Sequence, residues 1–296
     1  MSESLAASSD LNAVSLNRAV SELAGVIGER NVYQYSKLCE AADFIEHTFL
    51  QAGYHPIRQE YRAKGKIFAN IEAELKGAKF PEEIIIVGAH YDSARGSPGA
   101  NDNGSGVAAV LALSRFFAHA RVSRTIRFVA FTNEERPFLR TPQMGSRVYA
   151  SRSRARNENV KAMFSLETIG YCSKEKGTQW LSFFGTLYPS RGDFIVFVGN
   201  RFSKELLNQT TQSFQRHRGV PFETATLPSF APGAKSSDHW SFWKEGYRGV
   251  MVTDTAPLRY PHYHKPSDTP GKLHYDFLTG VVQGMRGVLF DMTCKC

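Results

Sequence analysis

The sequence predicts an α/β fold: a single domain with a mixed, mostly parallel central sheet and helices on both faces. Three patterns lead there. Short apolar runs at 84–89, 125–132 and 160–166 alternate with longer stretches of helical periodicity, as strand–helix–strand units do. Ile67, Ala69, Ile71, Ala73 and Leu75 alternate with mostly polar neighbours, which marks a strand with one buried face and a partly antiparallel edge. A histidine or acid residues follow the apolar runs, where an open α/β sheet gathers its ligands.

The elements follow in chain order. Leu38, Ala41, Ala42, Ile45 and Phe49 recur at helical spacing and Gly53 stands where a glycine cap ends a helix. The segment 1–53 is therefore expected to pack as helix on the sheet. Gly77 ends the alternating strand, and the run 84–89 predicts a strand closed by His90. A loop rich in Ser, Gly and Pro leads to Asp102, and residues 107–113 continue as a helix toward Phe116 and Phe117. Further strands are predicted at 125–132, 160–166, 194–198 and 249–253, with helices around 204–216 and 275–292.

Length and composition set limits. The chain has 296 residues, 42% of them hydrophobic, with no linker, charge block or repeat, so one domain over 1–296 is expected. Its net charge of +8 comes from Lys and Arg scattered along the whole chain, a solvated basic surface rather than a nucleic-acid footprint. The densest cluster, Arg147, Arg152, Arg154 and Arg156, reads as an exposed helical face. Residues 1–10 lack the basic start and apolar core of a signal peptide, and no apolar run reaches the ~20 residues that span a bilayer. As written the chain is expected in the cytoplasm, without a membrane partner; a trimmed signal would make it secreted or periplasmic. Four cysteines are too few for a disulfide framework, and Cys294 and Cys296 read as a free tail.

The residues after the strands carry the chemistry. His90, Asp102, Glu135, Glu167 and His264 offer two imidazoles and three carboxylates, the donor set a pair of zinc ions needs for binding and neutralisation. Glu134 is left over as a candidate general base. Surface carboxylates have no reason to fall at the ends of three buried strands.

Five segments in order, Ala-His-Tyr-Asp-Ser (89–93), Asn-Asp-Asn-Gly-Ser-Gly (101–106), Asn-Glu-Glu (133–135), Leu-Glu-Thr-Ile-Gly (166–170) and Tyr-His-Lys-Pro-Ser-Asp-Thr (263–269), resemble the motifs of the M28 family of zinc peptidases. The resemblance runs from about residue 67 to the C-terminus and implies a zinc-exopeptidase-like fold. It implies that Asp102 bridges two zinc ions, with His90 and Glu167 completing one site and Glu135 and His264 the other. Glu134 would take a proton from the metal-bridging water, whose hydroxide attacks the scissile carbonyl. Asp92 and Asp268 resemble partners that orient His90 and His264 through the second ring nitrogen, a local backbone cap being the alternative. Gly104 and Gly106 suit a close backbone approach at a helix start. Tyr263 is a candidate oxyanion donor or a packing residue, and His239, after Asp238, a candidate substrate contact.

Two departures from the family pattern matter. Many members carry Asp where Glu167 stands, which leaves open whether one or two zinc ions bind. Residues 136–144 lengthen the loop before Gly145 and Ser146, and Phe138 and Met144 are expected to shape a substrate wall. The resulting expectation is a zinc aminopeptidase acting on peptides. Glutaminyl cyclase chemistry on a related fold, a catalytically silent binding domain and attack at the peptide's carboxyl end are the alternatives.

Overall fold

The computed structural model describes residues 11–179, 189–228, 231 and 233–294. The segment 1–10 and Cys296, read above for targeting and as a tail, lie outside them. Among the described residues there are ten strands: β1 (Ile57–Ala63), β2 (Lys66–Leu75), β3 (Phe80–His90), β4 (Arg124–Phe131), β5 (Asn159–Glu167), β6 (Ser173–Lys176), β7 (Arg191–Gly192), β8 (Ile195–Gly199), β9 (Phe222–Thr226) and β10 (Gly249–Thr253). Eight of them form one sheet in the order β1-β2-β4-β3-β5-β10-β8-β9, and β6 pairs with β7 apart from it. The β4-β3-β5-β10 centre is parallel, whereas β1, β2 and β4 pair antiparallel at one edge, and β8 runs antiparallel to β10.

Residue parity along the central strands shows why both faces are covered. Ile85, Val87 and Ala89 of β3 and Ile126, Phe128 and Ala130 of β4 join the main core. Their neighbours Ile84, Ile86, Val129 and Phe131 join a second core with Tyr149 and Phe242 on the other face. Along β5 the parity breaks, because a bulge between Val160 and Ala162 inserts one residue into the pairing with β3. The main core also takes in α1 (Ala13–Val20), the π-helical turn Ser21–Ile27, α2 (Tyr35–Gln51), α3 (Gly106–Phe117) and α7 (Tyr275–Cys294). The second face carries α4 (Gly145–Ala155) and α6 (His239–Lys244), while α5 (Lys204–Arg216) packs against α7.

α1 starts at a capping box, with Asn12 Oδ1 accepting from the Ser15 amide at 2.9 Å and the Ser15 hydroxyl answering toward Asn12. From there one continuous hydrophobic cluster runs from Leu11 to Leu289, so the N-terminal helices share the core of the sheet. Cys294 ends α7, with Sγ 3.8 Å from the Arg121 carbonyl, a packed position rather than the free tail expected. Cys39, Cys172 and Cys294 are unpaired thiols. Among the described residues no helix is long and apolar enough to cross a membrane.

Candidate metal centre

His90 and Glu167 are the last residues of β3 and β5, Glu134 and Glu135 follow the end of β4, and Asp254 follows β10. All four strands run parallel, so these groups collect at one edge of the sheet, outside the carboxyl ends of its strands. Asp102 reaches the same place on the loop that enters α3. Gly106 permits that approach, since a side chain there would collide with the Leu166 carbonyl and the Asn103 amide.

The backbone on either side of these carboxylates is held in unusual conformations. Asn133, Thr168 and His264 have φ of 58°, 44° and 55°, in the left-handed region that non-glycine residues seldom adopt. Each costs about 1–3 kcal/mol unless its surroundings compensate. At Thr168 the compensation is visible: its amide donates to Asn103 Oδ1 at 3.0 Å, and Asn103 Nδ2 donates to the Leu166 carbonyl at 2.8 Å. Asn101 mirrors this on the other side of Asp102, accepting from the Gly170 amide and donating to Asp254 Oδ2 at 2.9 Å. The two asparagines thus lock Asp102 to the end of β5 and hence to Glu167.

The five candidate ligands form two triads that share one residue. His90 Nε2 lies 3.3 Å from Asp102 Oδ1 and 3.3 Å from Glu167 Oε2. His264 Nε2 lies 2.9 Å from Asp102 Oδ2 and 3.1 Å from Glu135 Oε1. Ligand atoms around a tetrahedral zinc stand about 3.3–3.5 Å apart, so both sets are spaced to hold an ion. The two oxygens of Asp102 face different triads, as a bridging carboxylate requires. Asp102 Oδ2, although close to His264, makes no hydrogen bond, and neither does Glu134 Oε1. Orphaned buried oxygens of this kind are what a missing cation leaves.

Charge points the same way. Asp102, Glu134, Glu135 and Glu167 are all buried, and among the described residues no Lys or Arg lies within salt-bridge distance of any of them. Burial pushes Glu134 well above the ordinary carboxylate range, with the charges of Glu135, Glu167 and Asp238 adding and His90 opposing. Burial also raises Glu167 and Glu135. Burial would raise Asp102 too, but the two imidazoles beside it hold it below the usual range. So many acids in one buried place need positive charge, which bound zinc would supply.

The surrounding groups settle several side chains. His90 Nδ1 stands 3.0 Å from the backbone carbonyl of Asp92, which can only accept, so the proton sits on Nδ1 and Nε2 is free to ligate. The Asp92 carboxylate is 3.6 Å from the ring and has a further task. Its two oxygens each accept a backbone amide at 3.0 Å, from Glu134 and Glu135, aiming that pair. The Ser237 hydroxyl donates to Glu167 Oε2 at 2.7 Å and pairs with Ser165 at 2.9 Å, which anchors the longer Glu side chain. Tyr263 stacks on the His264 ring at 3.9 Å. Burial, with the charges of Asp102, Glu167, Glu135 and Glu134, raises its phenol far above the ordinary value, so it stays a donor at neutral pH.

Three expectations are corrected here. Asp268 does not orient His264: its Oδ1 accepts from the Asn101 amide at 2.8 Å and the Tyr260 hydroxyl at 2.7 Å, and its Oδ2 from the Asp102 amide at 3.2 Å. It is a template for the Asp102 backbone. His239 is fully buried with its ring 4.6 Å from Trp243, edge to face, rather than open to a substrate; burial lowers it to about 3 and keeps it neutral. Its neighbour Asp238 is the residue coupled to the centre: it is fully buried, and burial raises it to about 7, with the charge of His90 and the Ser146 hydroxyl opposing. Phe138 and Met144 do not form a wall, because both are buried and Phe138 packs edge-on against Phe68 at 5.4 Å. Phe138→Ala is accordingly expected to destabilise the fold by about 3–5 kcal/mol, read by chemical denaturation, and to leave side-chain preference unchanged.

Arg30 and Ser237 were not predicted. One acts through backbone carbonyls, and the other, beside Asp238, through a single hydroxyl far along the chain from Glu167.

Comparison with known proteins adds the family. A relative from Escherichia coli K12, the uncharacterized protein YfbL, is 34% identical over 287 residues, 93% of this chain and 87% of its own length. Seven further relatives, named as zinc metalloproteases or aminopeptidases, are spanned over only 22% to 53% of their own length. Among solved structures, a zinc aminopeptidase from Bacillus subtilis superposes with a TM-score of 0.74 at 15% identity, over 96% of this chain and 95% of that one. A glutaminyl cyclase from Fimbriiglobus ruber superposes with a TM-score of 0.71 at 17% identity, over 94% of both chains. At such identities the two superpositions speak for the fold alone. The model of peptidase family M28 matches residues 70–288, the span that holds both triads and Glu134, and the chain belongs to that family of metallopeptidases.

Proposed function

We propose that this chain is a two-zinc aminopeptidase that removes N-terminal residues from peptides. One observation carries the reading: two complete triads share Asp102, and Glu134, an acid that belongs to neither and directly precedes the ligand Glu135, has an unpartnered oxygen. His90, Asp102 and Glu167 hold one ion; Asp102, Glu135 and His264 hold the other. Bound zinc supplies Lewis acidity for water and for the scissile carbonyl.

The remaining work belongs to the side chains. Glu134 accepts the proton of the attacking water and passes it to the leaving amine, a role eased by its raised proton affinity. Asp92 holds the Glu134 and Glu135 amides, so base and ligand move together or not at all. Tyr263 donates a hydrogen bond from its phenol to the oxygen that gains charge in the transition state. Tyr263→Phe is expected to lower kcat by about 10²–10³-fold with zinc content unchanged, as loss of one oxyanion donor does. Steady-state kinetics alongside metal analysis checks it, and an unchanged kcat would return Tyr263 to packing alone.

The substrate assignment is tested by offering aminoacyl p-nitroanilides, free and N-blocked dipeptides and a Gln-initiated peptide, and weighing the products. Release of the first residue from the free peptides only is expected. Loss of ammonia from the Gln-initiated peptide with no residue released would make the chain a glutaminyl cyclase instead. No turnover of any of them, with zinc bound, would point to a silent binding domain.

A further inference from the structure

Arg30 lies forty residues ahead of the family match and is wholly buried. Among the described residues its guanidinium meets no carboxylate at hydrogen-bond distance, and its partners are backbone carbonyls. Nε donates to Tyr91 at 2.6 Å, Nη2 to Gly99 at 2.9 Å, and Nη1 to Pro98 at 2.5 Å, Gly28 at 3.1 Å and Leu23 at 3.2 Å. Three of these carbonyls lie in the loop that leaves His90 and arrives at Asp102, at its two ends, and two lie in the N-terminal helical segment.

The backbone of Arg30 joins in. Its amide donates to Ser93 Oγ at 3.1 Å, its carbonyl accepts from the Ser93 amide at 2.9 Å, and the Ser93 hydroxyl donates to Ser97. The Gly99 carbonyl held by Nη2 also accepts from the Gly104 amide at 3.0 Å, two residues past Asp102. Burial lowers Arg30 to about 10, opposed by the charges of Asp268, Asp92 and Asp102, so it remains a cation facing the acids behind the ligands.

We propose that Arg30 is a positioning residue of the metal centre: it pins both ends of the loop joining His90 to Asp102, and so fixes the spacing at which those two ligands meet an ion. The N-terminal segment outside the family match is thereby part of the site. Lysine cannot replace it, because one ammonium with three donors cannot span five carbonyls arranged around a planar fork. The proposal rests on the metal assignment above and is independent of which peptide, or which end of it, is attacked.

The test uses the full chain with Arg30→Lys and, separately, Ser93→Ala. Each is stripped of metal and titrated with zinc against a competing chelator. The cobalt(II) visible spectrum is a second readout, and thermal unfolding of the metal-free chain is the control for folding. Arg30→Lys is expected to weaken zinc binding by about 10–100-fold, the range seen when groups that orient metal ligands are lost, and to alter the cobalt spectrum. Ser93→Ala is expected to act in the same direction by a smaller factor. A lower unfolding temperature with zinc affinity and cobalt spectrum unchanged would make Arg30 a structural staple only and overturn the proposal. Should Arg30→Lys fail to fold, unchanged zinc affinity in Ser93→Ala overturns it equally. Weakened zinc binding in a chain that cleaves no peptide would sustain this inference while removing the aminopeptidase reading.

Discussion

Glu134→Gln is expected to keep its zinc and lose about 10²–10⁴-fold in kcat, the usual share of a positioned general base. The substitution preserves volume and both amide hydrogen bonds to Asp92, since those involve the Glu134 and Glu135 backbones and not the side chain. It removes only the capacity to take and return a proton. Among the described residues no Lys or Arg forms an ion pair with Glu134, and burial raises its proton affinity, as suits a carboxyl that takes up and returns a proton. Zinc content by elemental analysis, measured on the same preparation as kcat, separates this result from a collapsed site. A variant that keeps both its metal and its turnover would reassign the base.

Asp102→Asn is expected to do more, because it removes the one carboxylate both triads use. Two neighbouring dications would repel unless an anionic ligand neutralised them, and Asp102, whose two oxygens face different triads, would supply one oxygen to each. The amide keeps the shape but gives up the charge. Zinc content after dialysis is expected to fall below one ion per chain, and kcat/KM by at least about 10³-fold, since Lewis-acid stabilisation is worth several kcal/mol. His264→Ala, by contrast, breaks one triad only and is expected to leave the ion held by His90, Asp102 and Glu167. If Asp102→Asn retained two ions, the shared-ligand arrangement would be wrong.

Much of this was legible before any coordinates, for identifiable reasons. β3, β4 and β5 are buried on both faces, so their apolar runs stand out, and the residue that ends each run is exposed to inspection as an oddity: His90 and Glu167 are charged or polar where the pattern is most apolar. β1 and β9 were invisible because they are edge strands with polar, largely open sequences, held by pairing rather than by a hydrophobic face. The helix α4 is legible only as an arginine-bearing exposed helical face. Its buried side, Tyr149 and Ala150, supplies too few apolar positions to announce a core element.

The site shows a similar division. Ligands are readable because zinc accepts few side-chain types, whereas the groups that hold ligands in place use any donor within reach. Arg30, Ser237 and the amides of Asn101 and Asn103 act chiefly through partners 61 to 153 residues away in sequence, often through the backbone, which leaves no residue-type signature. His239 and Asp238 illustrate how fine the margin is. They are adjacent, and at the start of α6 a rotation of about 100° between them sends the imidazole into the core against Trp243 and leaves the carboxylate coupled to Glu134. Asp268 lies four residues after His264, yet the turn between them aims it at the Asp102 backbone.

The most direct test is a crystal of the zinc-loaded chain with diffraction recorded on both sides of the zinc absorption edge. The account predicts two anomalous peaks, one in the triad of His90, Asp102 and Glu167 and one in that of Asp102, Glu135 and His264, with the Asp102 carboxylate between them. A single peak, or peaks bound by other residues, would contradict it.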